Sequence, residues 1–86
     1  MTVVYAAEFE RQFRKLPAEI QDDFRKQEAR FRANWRDPRL HVKKLVDHPF
    51  TFSFRVTRRY RVLFALVDSE TALFATIGHR REVYRR

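Results

Sequence analysis

The sequence predicts an α+β domain in which two N-terminal helices pack on one face of a small antiparallel sheet. Two patterns predict it. Apolar residues in the first half recur at helical spacing: Phe9, Phe13 and Leu16, then Ile20, Phe24, Phe31 and Trp35. From residue 50 the period changes to two, with Phe50, Phe52, Phe54 and Val56 alternating with Thr51, Ser53, Arg55 and Thr57. Length supplies a third argument. The 86 residues contain no linker, repeat or low-complexity stretch, and they have room for one core, so residues 1–86 are read as a single domain.

Each element follows in order. TVVYA at 2–6 reads as a short first strand. Phe9, Phe13 and Leu16 form the apolar stripe of a first helix, and Pro17 starts a second. In the second helix Asp22, Asp23, Arg25, Lys26, Glu28, Arg30 and Arg32 fill the wetter sides. Trp35 continues the apolar stripe and is assigned to the core rather than to a base-stacking platform. Asp37-Pro38 either closes this helical region or opens a short helical turn that reaches Val46. Pro49 punctuates the entry to the strand at 50–56. YRVLFALV at 60–67 is the next strand, DSE at 68–70 a turn, and TALFATIG at 71–78 the last strand of a meander. The helices cover the aromatic face and leave the other partly open.

Composition narrows the function classes. Without cysteine there is neither a disulfide framework nor a thiolate metal site. His41, His48 and His79 have no metal-ligand spacing and no accompanying carboxylate cluster, so neither metal nor cofactor is expected. The longest apolar run, VLFALV, falls short of the about 20 residues that span a bilayer, and the start lacks a signal-like segment. A soluble, cytoplasmic protein is the expectation, with no membrane partner. The net charge of +8 is uneven: residues 1–42 carry nine basic and seven acidic side chains, residues 43–86 ten and four. A basic half attracts polyanions, nucleic acid first. Fifteen of the 19 basic residues are arginine, whose planar fork suits phosphate.

The hairpin places charge on the open face. If Val56 pairs with Tyr60 around Thr57-Arg58-Arg59, Arg55 stands opposite Arg61, away from the phenylalanines. Facing like charges destabilise a sheet, so a solvated face, a nearby carboxylate or a bound anion must compensate. If Leu66 pairs with Ala72, then Ile77, His79 and Arg81 continue onto the same face, whereas a one-residue slip reverses that.

FSFRVTRRYRVLF at 52–64 and LFATIGHRREVYR at 73–85 resemble the RelE/ParE superfamily of bacterial toxins, closest in motif to the RelE-like messenger interferases. FERQFRKLP at 9–17 and LHVKKL at 40–45 are similar to that family's first helix and to the segment before its central strands. The resemblance implies a ribosome-dependent endoribonuclease that cuts mRNA in the A site. It implies as well a cognate acidic antitoxin that wraps the toxin, on the helical exterior near Arg25, Arg30 and Arg32 or on the open sheet surface. A ParE-like inhibitor of DNA gyrase and a catalytically inactive RNA-binding protein of the same fold are the alternatives. The family's central arginine maps to Arg61. Its basic residue before the strands maps to Lys43 or Lys44, its strand-end residue to His79 or Arg81, and its terminal aromatic to Tyr84. The segment HVKK has no carboxylate where some members carry one, and VDHPF lacks their loop glycine.

RNA can be cut by attack of its 2′-OH on the adjacent phosphate, which needs a base, an acid and charge stabilisation on phosphorus. Arg61 is the candidate for that stabilisation. His79 is a candidate proton acceptor, because histidine titrates near neutrality. Arg81 is assigned to stabilising the leaving group, and Tyr84 to bonding phosphate or stacking on a base. The plainer readings are a backbone-bonded strand-end histidine and a tyrosine that packs the sheet edge. Lys43 and Lys44 are assigned to phosphate positioning, with Arg55, Arg58, Arg59 and Arg80 as further RNA contacts.

Overall fold

A computed structural model describes residues 1–47 and 51–84. The chain runs β1 (Thr2–Tyr5), α1 (Ala7–Arg14), α2 (Ala18–Ala33), a 3-10 turn (Pro38–Leu40), β2 (Lys43–Lys44), β3 (Thr51–Arg55), β4 (Tyr60–Asp68), β5 (Thr71–His79) and α3 (Arg80–Val83). The expected strand start at Phe50, the boundary at Pro49, and His48, Arg85 and Arg86 lie outside the described residues. No described helix is long and apolar enough to cross a membrane.

The strands form one sheet in the order β1-β5-β4-β3-β2. The meander is antiparallel as expected, but β1 lies parallel to β5, from Thr2 opposite Thr71 to Tyr5 opposite Phe74. No hairpin ties β1 to a neighbour. The helices carry the chain away from its end, and a long connection of that kind permits a parallel pair.

The helices begin and end for local reasons. In α1, Glu8 and Glu10 occupy the first turn and Arg11 and Arg14 the last, which suits the helix dipole. Pro17, with φ −55°, stands at the N-cap of α2. Of the two readings of Asp37-Pro38 the short helical turn is the one that forms, but it stops at Leu40 rather than Val46, because His41 adopts φ 48°. Lys43 and Lys44 then pair with Ser53 and Phe52 as an edge strand.

Both helices press aromatic side chains onto the sheet. Phe31 is fully buried, its ring centroid 5.3 Å from Phe54, 4.9 Å from Phe64 and 5.0 Å from Phe74. Phe9 and Phe24 extend the cluster, while Phe13, Leu16, Ile20, Trp35 and Phe52 pack around it, half-buried. Between Phe24 and Phe31 the same stripe buries Gln27, whose amide donates to the carbonyls of Arg39 (3.0 Å) and Arg55 (2.7 Å). A polar residue on the apolar stripe thus ties α2 to the 3-10 turn and to the end of β3.

One irregularity decides the far end of the sheet. Leu66 pairs with Ala72 and Phe64 with Phe74, but Leu63 pairs with Thr76, so β5 carries one extra residue there. Gln12 of α1 closes this bulge. Its Oε1 accepts from the Thr76 hydroxyl at 2.6 Å and from the Ile77 N–H at 3.0 Å.

Candidate phosphate site on the open sheet face

The centre of the open face is Arg61, and it is buried: 6% of its surface is exposed. Its Nε donates to Ser53 Oγ at 3.1 Å and its Nη2 to the His41 carbonyl at 2.7 Å. The left-handed turn at His41 is therefore part of the site. Burial pushes the Arg61 pKa below the usual arginine value; the Tyr84 oxygen opposes that and Arg55 adds to it. Arginine stays charged even so. Among the described residues the ion pairs are Arg25–Asp22, Arg32–Glu28 and Arg39–Asp37, and none involves Arg61 or Arg55. A buried guanidinium without a carboxylate partner is costly unless an anion joins it.

Tyr84 reaches this centre from the other end of the chain. β5 turns directly into α3, with His79 as N-cap: its Nδ1 accepts from the Arg81 N–H at 3.2 Å. The Arg80 N–H donates to the Arg59 carbonyl at 2.6 Å and so fixes α3 to the β3–β4 turn. Val83 is buried and lies over Gly78, which stands opposite Arg61. The next residue, Tyr84, brings its hydroxyl to 3.0 Å from Ser53 Oγ. Arg61, Ser53 and Tyr84 thus form one connected polar cluster.

The basic residues around the cluster divide by pairing. Direct antiparallel partners share a face. Lys43 is opposite Ser53 and joins the Arg61 face, whereas Lys44 is opposite Phe52 and falls on the helix side with Trp35 and Arg36. Arg55 is the direct partner of Arg61. Arg58 and Arg59 are exposed in the hairpin turn, and Arg80 and Arg81 are exposed on α3.

The expectation that Ile77, His79 and Arg81 continue onto the Arg61 face fails. The bulge supplies the one-residue slip that reverses it. Ile77 pairs with Val62 in the core, and His79 pairs with Tyr60, ring centroids 5.7 Å apart. His79 lines a cleft on the helix side with Gln12, Lys15 and Leu16. Arg81 belongs to α3 rather than to β5, and no hydrogen bond joins it to Arg61 among the described residues. On the helical exterior, Arg25 and Arg32 are already in ion pairs and Arg30 donates to Gln27 Oε1.

Ser53 and the His41 carbonyl are the site groups that residue types alone did not identify. Ser53 stood in view as a small hydroxyl in an aromatic strand, at the polar position two residues before Arg55. A backbone carbonyl carries no sequence signal.

No family sequence model matches the chain, and no curated protein matches it in sequence. Solved structures do match. One is a chain of the RelB–RelE antitoxin–toxin complex from Methanococcus jannaschii, with TM-score 0.76 and 19% identity over 94% of both chains. The YoeB/ParE toxin from Agrobacterium tumefaciens gives TM-score 0.78 and 12% identity over 93% of this chain and 99% of that one. The isolated E. coli RelE toxin gives TM-score 0.74 and 19% identity over 98% and 90%. The chain therefore has the same fold as these RelE and YoeB/ParE structures.

Proposed function

We propose that this protein is a RelE-like toxin that cuts mRNA in the ribosomal A site by 2′-OH attack on the adjacent phosphate. The observation that carries the proposal is the buried Arg61, unpaired with any described carboxylate, fixed by Ser53 and His41 and set beside Tyr84. Such a guanidinium is preorganised for the charge that develops on phosphorus, and it needs no reordering when the phosphate arrives. In this reading the 2′-oxygen bonds phosphorus to give a 2′,3′-cyclic phosphate, the 2′-OH proton passes to solvent water, and Tyr84 hydrogen-bonds the same phosphate and gives its phenolic proton to the departing 5′-oxygen. Lys43 and Arg55 hold the flanking backbone, while Arg58, Arg59 and Arg80 lie further out along the strand's path. His79 and Arg81 act through α3, by holding Tyr84 in place, rather than at the phosphate. The partner in this reading is an acidic antitoxin laid over the basic open face, since the helical arginines are already engaged.

One observation favours a second reading, ParE-like inhibition of DNA gyrase. With His79 on the helix side, the imidazole expected to take the 2′-OH proton does not face Arg61. Purified protein incubated with translating ribosomes, and separately with gyrase and relaxed plasmid, decides between the two. The nuclease reading expects message cleavage that Arg61→Ala abolishes while its circular dichroism stays unchanged. Wild-type rates in Arg61→Ala, or block of supercoiling without cleavage, overturn it.

A further inference from the structure

We infer that Ser53 is a positioning residue that aims the hydroxyl proton of Tyr84 out of the sheet and toward the phosphate. The inference rests on the nuclease reading above. It follows from counting protons in the cluster. Arg61 Nε can only donate, so in their 3.1 Å bond the Ser53 oxygen is the acceptor. A serine hydroxyl has a single proton of its own. Ser53 is fully buried, and no buried side-chain polar atom among the described residues lacks a partner. The remaining polar neighbour of its oxygen is the Tyr84 hydroxyl at 3.0 Å, and the Ser53 proton goes there. Tyr84 is then the acceptor in that bond, and its own proton points elsewhere.

The direction left to that proton is outward. Tyr84 is 39% exposed, on the face that carries Arg61, Arg55 and Lys43. A phosphate held over Arg61 would meet a phenolic O–H already turned toward it. Without Ser53 the phenol loses the donor that fixes its torsion, and the ordered outward proton is lost while Arg61 keeps its bond to His41. Ser53 therefore acts on the chemical step through Tyr84 and not on RNA affinity, which the exposed cations supply.

The test is a double-mutant cycle of Ser53→Ala and Tyr84→Phe, read by single-turnover cleavage on ribosomes over a range of protein concentration. Ser53→Ala is expected to slow the saturated rate about 10- to 100-fold, with half-saturation unchanged, and most of that loss is expected to disappear in the Tyr84→Phe background, leaving only what Arg61 loses with its Nε acceptor. Additive losses, or a loss confined to half-saturation, overturn the inference. A second arm uses the free protein. The Tyr84 ring carbon resonances should shift in Ser53→Ala and stay in place in Thr76→Ser; an unmoved Tyr84 ring overturns the inference without reference to RNA. If wild type cuts nothing, the nuclease reading falls and the positioning role falls with it. If wild type cuts while the cycle is additive, only the positioning role falls.

Discussion

Arg55 and Arg61 are direct cross-strand partners at the turn end of the β3–β4 hairpin, and neither is in an ion pair with a described carboxylate. Two like charges at this separation work against the sheet. Arg61 has its hydrogen bonds to Ser53 and His41, so the repulsion is the part left uncompensated. Removing the less buried member should relieve it. Arg55→Ala is expected to raise stability by roughly 0.2–1 kcal/mol, seen as a higher urea midpoint with unchanged slope, and to weaken RNA binding at the same time. A lowered midpoint would mean that the Arg55 side chain supports the hairpin rather than straining it.

Lys43 and Lys44 are adjacent in sequence and opposite in facing. Lys43 shares a face with Ser53, Lys44 with Phe52. Each phosphate contact contributes about one unit to the dependence of log affinity on log salt. Lys43→Ala should lower that slope by about one for a short single-stranded RNA, and Lys44→Ala should leave it unchanged. Equal effects from both would show that the edge strand twists enough to present both cations.

The facing of the lysines depends on pairing, and pairing marks the limit of what the sequence disclosed. The helices, the aromatic face and the Arg55–Arg61 opposition were legible, because period and a single short turn determine them. So was the Leu66–Ala72 pair at the second turn. His79 was misplaced, because the extra residue in β5 is absorbed by Gln12 across 64 residues of chain, and no local pattern marks such a partner. β2 was not read as a strand, because two lysines at a sheet edge have neither an apolar period nor β-branched residues. The parallel pairing of β1 was likewise invisible, since its partner lies at the other end of the chain.

Phe54 is fully buried, with its ring 5.3 Å from both Phe31 and Phe74 and 5.9 Å from Phe64. It joins α2 to the central strands directly beneath the Arg61 face. Phe54→Ala should cost roughly 3–5 kcal/mol, measured by denaturant unfolding. A loss under about 1 kcal/mol would mean that the neighbouring rings collapse into the space.

Asp37 connects acid stability to the site. Hydrogen bonds from the Arg39 side chain and backbone lower its carboxyl pKa to about 2, and its Oδ1 caps the 3-10 turn that leads into His41. A carboxylate whose folded pKa lies below the unfolded value of about 3.9 stabilises the fold above that pH. That contribution is lost as pH falls through about 2. Asp37→Asn should therefore be less stable than wild type at pH 7, with the difference vanishing below about pH 2. Chemical denaturation across pH reads it, and a pH-independent difference would place the effect elsewhere.

His79 contributes to the site from the far side of the sheet. Its Nδ1 caps α3, and α3 carries Tyr84 to Ser53. Loss of an N-cap costs about 0.5–2 kcal/mol, and here it falls on a helix of four residues, Arg80–Val83. That helix is otherwise held by the Arg80–Arg59 backbone bond and the burial of Val83. His79→Ala should thus leave the sheet and Arg61 in place while loosening Tyr84. Cleavage should fall by no more than Tyr84→Phe makes it fall, and adding His79→Ala to Tyr84→Phe should change little. His79→Asn retains a side-chain acceptor for the Arg81 N–H and should recover most of the rate. A histidine that takes the 2′-OH proton itself behaves differently: asparagine would not rescue it, and its loss would multiply with that of Tyr84. Cleavage rates of His79→Ala, His79→Asn and the double variant separate a capping histidine from a catalytic one.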